Sequence, residues 1–217
     1  MLPIGDDNSA RRTMPVITYI LILLNGLFFL VELSGGDNFL MRWSFVPNRF
    51  MANPAADFPT LFTAMFMHAG WIHLGGNMLY LWIFGDNVED RFGHFGYLIF
   101  YLLCGLAATA AQLAFSLNSN IPNLGASGAI AGVLGAYIFM FPSARVTVFQ
   151  GFRIIPVPAL VVIGFWFILQ LFSGLGSITN ASLDTGGVAF MAHIGGFIAG
   201  FMLTFVFRGN SNARFST

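Results

Sequence analysis

Six stretches of the chain are almost wholly apolar, and its polar residues gather between them. The stretches are Pro15–Val31, Ile72–Phe84, Phe95–Leu117, Ser127–Phe141, Ile155–Gly174 and Val188–Phe207. None has the polar face of a helix that lies on a water-soluble core. A helix needs about 20 apolar residues to cross a ~30 Å hydrocarbon layer, and these runs reach or approach that length. The pattern predicts an all-α, polytopic membrane protein with six transmembrane helices. No small-x-small cleavage site follows the first run, where Glu32-Leu33-Ser34-Gly35-Gly36 stand, so it is read as an uncleaved helix rather than a signal peptide.

Arginine placement orients this bundle. Arg11 and Arg12 precede the first run, Arg91 follows the second, Arg145 and Arg153 follow the fourth, and Arg208 and Arg214 follow the sixth. Only Arg42 and Arg49 fall on the other side. Basic residues stay in the cytoplasm, so both termini are expected there. The chain divides into a short cytoplasmic N-terminal tail (residues 1–14, too short for a further domain), a helical domain (15–207) and a cytoplasmic C-terminal tail (208–217). The Ser34–Trp71 loop carries Trp43, Phe45 and Phe62 among polar residues, which suits the membrane interface.

Composition agrees. Of 217 residues, 57% are hydrophobic and 8% charged, against about 25% charged in soluble domains. Nine basic residues balance nine acidic ones, leaving no net field to attract nucleic acid. One cysteine, Cys104, excludes an internal disulfide and a multi-cysteine metal site, and reads as a core residue.

Polar groups inside spans are costly and are functional suspects. Four stand out: His73, Asn77, Ser127 and His193. The fourth run is short, about 21 Å from Ser127 to Phe141 at ~1.5 Å per residue. Ser127 therefore lies below the outer surface, and the irregular segment before it dips into the bilayer. Such backbone is tolerated there only beside protein or a water-filled cavity, so a cavity is expected above Ser127. His193 is as far from Phe207 as Ser127 is from Phe141, and the two runs point the same way. His73 and Asn77 lie in the outer half of the second run, at the same level. Gly128-x-x-x-Gly132 and Gly196-x-x-x-Gly200 allow the fourth and sixth helices to approach closely.

This arrangement fits nucleophilic acyl transfer. Ser127 is the nucleophile and a neutral His193 its base. Free N–H groups at the helix start favour an oxyanion, and His73 and Asn77, four residues apart on one helix face, can donate to it. Asp184, the nearby carboxylate, is read as a solvated loop residue. Taken singly, Ser127 is an ordinary helix N-cap, and the other three are interhelical hydrogen-bonding groups. Independent structural needs do not place four such groups level.

The residues resemble the rhomboid family of intramembrane serine proteases. Gly125-Ala126-Ser127-Gly128 is similar to the family's nucleophile motif, and Ala192-His193-Ile194-Gly195-Gly196-Phe197-Ile198-Ala199-Gly200 to its last-helix motif. His68-x-x-x-x-His73-x-x-x-Asn77 and Glu89-Asp90-Arg91-Phe92-Gly93 resemble two further family segments. The likeness runs in order from Phe58 to Phe207. It implies a rhomboid-like bundle and a Ser127–His193 dyad, with an oxyanion hole made by His73, Asn77 and the Ser127 backbone N–H, and no metal or cofactor. The implied substrates are single-pass membrane proteins, cut in or near the transmembrane segment at small residues. It also implies residence in a bacterial inner membrane, with the site opening away from the cytoplasm. Two positions depart from the pattern. Pro59-Thr60 stand where some relatives carry Trp-Arg, leaving the first loop to be anchored otherwise. Ala131 stands where some carry an aromatic that stacks on the histidine, so another group must orient His193. The alternatives are a catalytically silent, client-binding relative and a broken-helix solute transporter. Oligomeric state is not legible.

Overall fold

The computed structural model describes residues 1–179 and 189–208. Strand β1 (Leu2–Asp6) precedes helix α1 (Val16–Trp43). Short helices α2 (Pro47–Ala52), α3 (Pro54–Asp57) and α4 (Thr60–Thr63) and a 3₁₀ turn follow. Then come α5 (Trp71–Phe92), α6 (His94–Phe115) and α7 (Ser127–Met140). Strands β2 (Arg145–Gln150) and β3 (Arg153–Pro158) lead to α8 (Ala159–Thr179) and α9 (Phe190–Phe207). Among the described residues, α1, α6 and α9 are long and apolar enough to cross a membrane, and α7 is a shorter apolar helix. Leu23, Leu30, Phe172, Met202 and Val206 are exposed on the outer helices, as suits side chains that face lipid.

Helix α7 is the centre of the fold. Every residue from Gly128 to Tyr137 is buried, and α7 packs against α5, α6, α8 and most extensively α9. The reason is side-chain size. A methyl group on Gly132 would run into Cys104 of α6 and the Gly196 carbonyl of α9, and one on Gly128 into Ala108. Glycine lets three helices close on the same segment, and Cys104 is buried in this core.

The Glu89–Gly93 motif fastens the opposite end. Glu89 is buried and accepts from the backbone N–H groups of Ile17 and Thr18 at 2.8 and 2.7 Å. Those are orphan donors of the first turn of α1, where a carboxylate also meets the positive end of the helix dipole. Gly93, at φ +71°, closes α5 and lets the chain turn into α6. Residues before α1 are tied down as well. Arg11 pairs with Asp86, and Asp90 accepts from the backbone N–H groups of Arg12 and Thr13.

Three expectations need correction. The chain is mostly helical rather than all-α, because β1, β2 and β3 form an antiparallel sheet. Arg145-Val146-Thr147-Val148 alternates in period two, and Val146 and Val148 point into the core. Gly151, at φ +64°, opens the two-residue turn between β2 and β3. The fifth apolar run therefore begins as strand. Pro156 and Pro158 cannot sit inside a helix, and α8 starts only at Ala159. Finally, α1 continues past Val31 to Trp43, with a break at Gly36 (φ +62°) that only glycine adopts readily. The last helix starts at Phe190; Val188, Asp184 and Arg214 lie outside the described residues.

The segment after α1 is anchored by Arg49. Its guanidinium donates to Asp57 at 2.8 and 2.9 Å and to the Ser44 carbonyl at 2.6 Å. Thr63 Oγ1 adds a bond to the Trp43 carbonyl. This answers the absence of a Trp-Arg pair at Pro59-Thr60.

Candidate active site

The site begins with the chain before Ser127. Phe45 and Asn123 exchange backbone hydrogen bonds at 3.0 and 2.7 Å, the Asn48 N–H reaches the Ser119 carbonyl, and the Gly125 N–H reaches the Ala64 carbonyl at 2.8 Å. The irregular segment is thus paired with the 44–66 segment, as backbone away from water requires. Gly125 adopts φ +121°, and a methyl group there would lie 2.9 Å from the His73 ring. Glycine is needed both for the turn and for the room.

Ser127 is the first helical residue of α7, and the N-cap position belongs to Ala126, which has no side-chain capping bond. Ser127 is therefore not an N-cap. Its Oγ lies 2.8 Å from His193 Nε2. Glycine contacts between α7 and α9 set that separation: Gly196 rests on the Gly128 carbonyl and Gly200 on the Gly132 backbone. The first turn of α9 is held by α6, because Gln112 Oε1 accepts from the Ala192 N–H at 3.2 Å.

His73 and Asn77 sit across from this pair on α5. Together with Trp71, Ser127, Trp166 and His193 they border one cavity of about 1030 Å³. His73 Nδ1 accepts from the Ala69 N–H at 3.4 Å, so in the neutral ring the proton is on Nε2. Asn77 is buried and its Nδ2 donates to His68 Nε2 at 2.9 Å. His68 is held in turn by its Nδ1 on the Phe66 carbonyl and by its backbone N–H on Glu32 at 2.9 Å. The structure thus brings all four expected residues to one cavity.

It also adds partners that sequence reasoning did not assign. Gln170 Oε1 of α8 lies 2.8 Å from His193 Nδ1. The aromatic neighbour of His193 is Trp166, also from α8, with ring centres 5.8 Å apart. Ala131 of α7 is buried without contributing a ring. Gln112 and Gln170 are amides within apolar runs, the same signal that marks Ser127, and His68 opens the segment that holds His73 and Asn77. Gln112, Gln170 and His68 were therefore open to discovery from the sequence. Among the described residues, no group of three or more His, Cys, Asp or Glu side chains could hold a metal ion.

Comparison with known proteins gives the same direction. The family described as Rhomboid domain matches residues 55–210. The chain is 34% identical over 193 residues to the Rhomboid protease GluP of Bacillus subtilis, covering 86% of this chain and 34% of that one. It is 28% identical over 189 residues to Rhomboid protein 1, mitochondrial, of Saccharomyces cerevisiae, covering 85% and 51%. With RHOMBOID-like protein 6, mitochondrial, of Arabidopsis thaliana it shares 34% identity over 146 residues, covering 67% and 42%. The chain thus spans between a third and about half of the length of these relatives. The family match covers α5 to α9, the helices that carry the candidate residues, and with the apolar helices it makes this an integral membrane protein. By that match and by these identities, the chain belongs to the rhomboid family.

Proposed function

We propose that this protein is an intramembrane serine endopeptidase whose nucleophile is Ser127 and whose base is His193. The observation that carries the reading is the 2.8 Å separation of Ser127 Oγ and His193 Nε2 beside a large cavity. Ser127 Oγ attacks the scissile carbonyl carbon while its proton passes to His193 Nε2. The oxyanion receives the His73 Nε2–H, the second Nδ2–H of Asn77 and the Ser127 backbone N–H. His193 then protonates the leaving amine, and a water hydrolyses the acyl-enzyme by the same steps. His68 and Glu32 hold Asn77 at its post.

The membrane arrangement belongs to the same proposal. Helices α1, α5, α6, α7, α8 and α9 are the six spans. Residues 1–14 and 208–217 lie on the cytoplasmic side of a protease domain over 15–207, and the sheet lies there too. The cavity opens toward the non-cytoplasmic side, in a bacterial inner membrane, and the 34–71 segment rests in its interface. The substrates are single-pass membrane proteins, cut in or near their spanning segment.

The test uses the purified protein in proteoliposomes with a tagged single-span reporter. Wild type should cleave it and react with a fluorophosphonate, and Ser127→Ala should do neither while melting as wild type does. Cleavage by purified Ser127→Ala would remove the serine mechanism. A folded wild type that binds the reporter without cutting it would favour a catalytically silent client-binding protein.

A further inference from the structure

We propose that Gln170 is a positioning residue that sets the tautomer and orientation of His193, making a three-residue Ser127–His193–Gln170 relay of contacts. The inference rests on the reading of Ser127 and His193 as nucleophile and base.

A neutral imidazole ring has one N–H. To accept the Ser127 proton, Nε2 must be bare, so the proton sits on Nδ1 and requires an acceptor on the far side of the ring. Gln170 Oε1 stands there at 2.8 Å. In the other tautomer the Nδ1 lone pair would face the lone pairs of that carbonyl, and the Nε2–H would point at Ser127 Oγ, leaving the serine without a base. With its carbonyl turned to the ring, Gln170 pairs with the active tautomer alone.

The same bond acts during reaction. When His193 takes the proton, the Nδ1–H···O=C bond becomes charge-assisted and strengthens. Gln170 supports the imidazolium without an ionised carboxylate among apolar helices, where such a charge is costly. Its placement is built in. Trp166 and Gln170 are four residues apart on α8 and both meet His193, so one helix face supplies ring packing and acceptor. Phe167 stacks on Phe197 of α9 with ring centres 4.2 Å apart, fixing the register of the two helices. Neither contact comes from α7, where Ala131 leaves the ring without an aromatic neighbour.

The experiment compares wild type, Gln170→Leu and Gln170→Glu on one reporter, with fluorophosphonate labelling and ¹⁵N-histidine NMR. His193→Ala identifies the His193 signal. Gln170→Leu should lower kcat about 10–100-fold, the effect of one hydrogen bond to a charged group, with KM nearly unchanged. It should also move the acid limb of kcat/KM to lower pH and erase the uniform Nδ1–H signal of His193. Gln170→Glu keeps an acceptor and adds charge. It should recover kcat above Gln170→Leu and move the acid limb up by about one pH unit or more. Should Gln170→Leu not fold, Gln170→Glu carries the test alone. A wild-type kcat, acid limb and Nδ1–H signal in Gln170→Leu, or an unmoved limb in Gln170→Glu, would overturn the assignment. A wild type that neither cleaves nor labels defeats the protease reading instead. The NMR comparison then still decides this one, since an Nδ1–H signal that is absent from wild type or survives in Gln170→Leu refutes it.

Discussion

Gly200 of α9 lies directly against the backbone of Gly132 in α7, and this contact governs how near His193 comes to Ser127. A methyl group on Gly200 would strike the Gly132 carbonyl, Cα and carbonyl oxygen, which are backbone atoms that no rotamer change can move. Gly200→Ala must therefore push the two helices apart. Overpacking of a filled core costs about 1–3 kcal/mol, and a 1 Å displacement of a catalytic pair costs about 10²-fold in rate. We expect the variant to lose at least tenfold in kcat while still folding, with a lowered thermal midpoint in detergent. Gly164→Ala is the control, since nothing lies within 4 Å of a Cβ placed there. Equal rates for Gly200→Ala and wild type would show that this helix crossing does not set the Ser127–His193 distance.

Ser127 and His193 are expected to act as one unit. Removing either should cost about as much as removing both, because a nucleophile without its base and a base without its nucleophile are equally idle. His193→Ala should match Ser127→Ala in lost turnover, and the double variant should be no worse. The check is a cycle of the three variants on a single reporter. Additive losses would mean that the two residues contribute separately.

His73 and Asn77 are distinguished from interhelical hydrogen-bonding residues by what their loss does. An oxyanion donor is worth about 10²–10³ in kcat, whereas an interhelical hydrogen bond in a membrane averages about 0.6 kcal/mol of stability. Asn77→Ala should cut kcat strongly with little change in thermal midpoint. His73→Ala combined with Asn77→Ala should fall well below either single variant yet keep partial fluorophosphonate labelling, since Ser127 and His193 remain paired. Activity that declines only in step with the amount of folded protein would return both residues to a structural role.

The candidate site is legible in the sequence because bilayers penalise polar groups. Ser127, His193, His73 and Asn77 were conspicuous against apolar runs, and counting back from Phe141 and Phe207 placed two of them level. The glycine spacing of α7 and α9 foretold their closeness. Pro156 and Pro158 stand against a helix before Ala159, but the apolar residues around them, Ile155 and Val157, read as the start of the fifth run. The β2–β3 hairpin has local signals, the alternation over Arg145–Val148 and Gly151 at its turn, whereas β1 pairs with β2 across some 140 residues, and no local pattern reveals so distant a partner. Gln170 and Gln112 carried the right signal, an amide in an apolar run. Only the fold shows that one meets His193 and the other the turn before it.

Asp6 offers a prediction about stability rather than catalysis. Its Oδ2 accepts from the Tyr137 hydroxyl at 2.7 Å and from Asn87 Nδ2 at 2.8 Å, so it ties β1 to the far ends of α7 and α5. Its Oδ1 is buried without a hydrogen-bond partner among the described residues. Burial pushes the carboxyl from its ordinary 3.8 up to about 6, against the hydrogen bond from Tyr137 and with some help from the charge of Asp86. In the unfolded chain the group loses its proton near 3.8, so between that pH and about 6 the folded state binds more protons. Stability contributed by Asp6 is therefore present below pH 3.8 and is lost as pH rises through about 6. Asp6→Asn keeps a carbonyl that accepts both bonds and never ionises. Its stability relative to wild type should grow across that window and level off above it, by at most about 3 kcal/mol, the free-energy equivalent of the raised value. Thermal midpoints of both proteins in one detergent, taken from pH 4 to pH 8, measure this difference. A gap between the two curves that stays constant with pH would show that the Asp6 carboxyl is ionised in the folded protein as readily as in water.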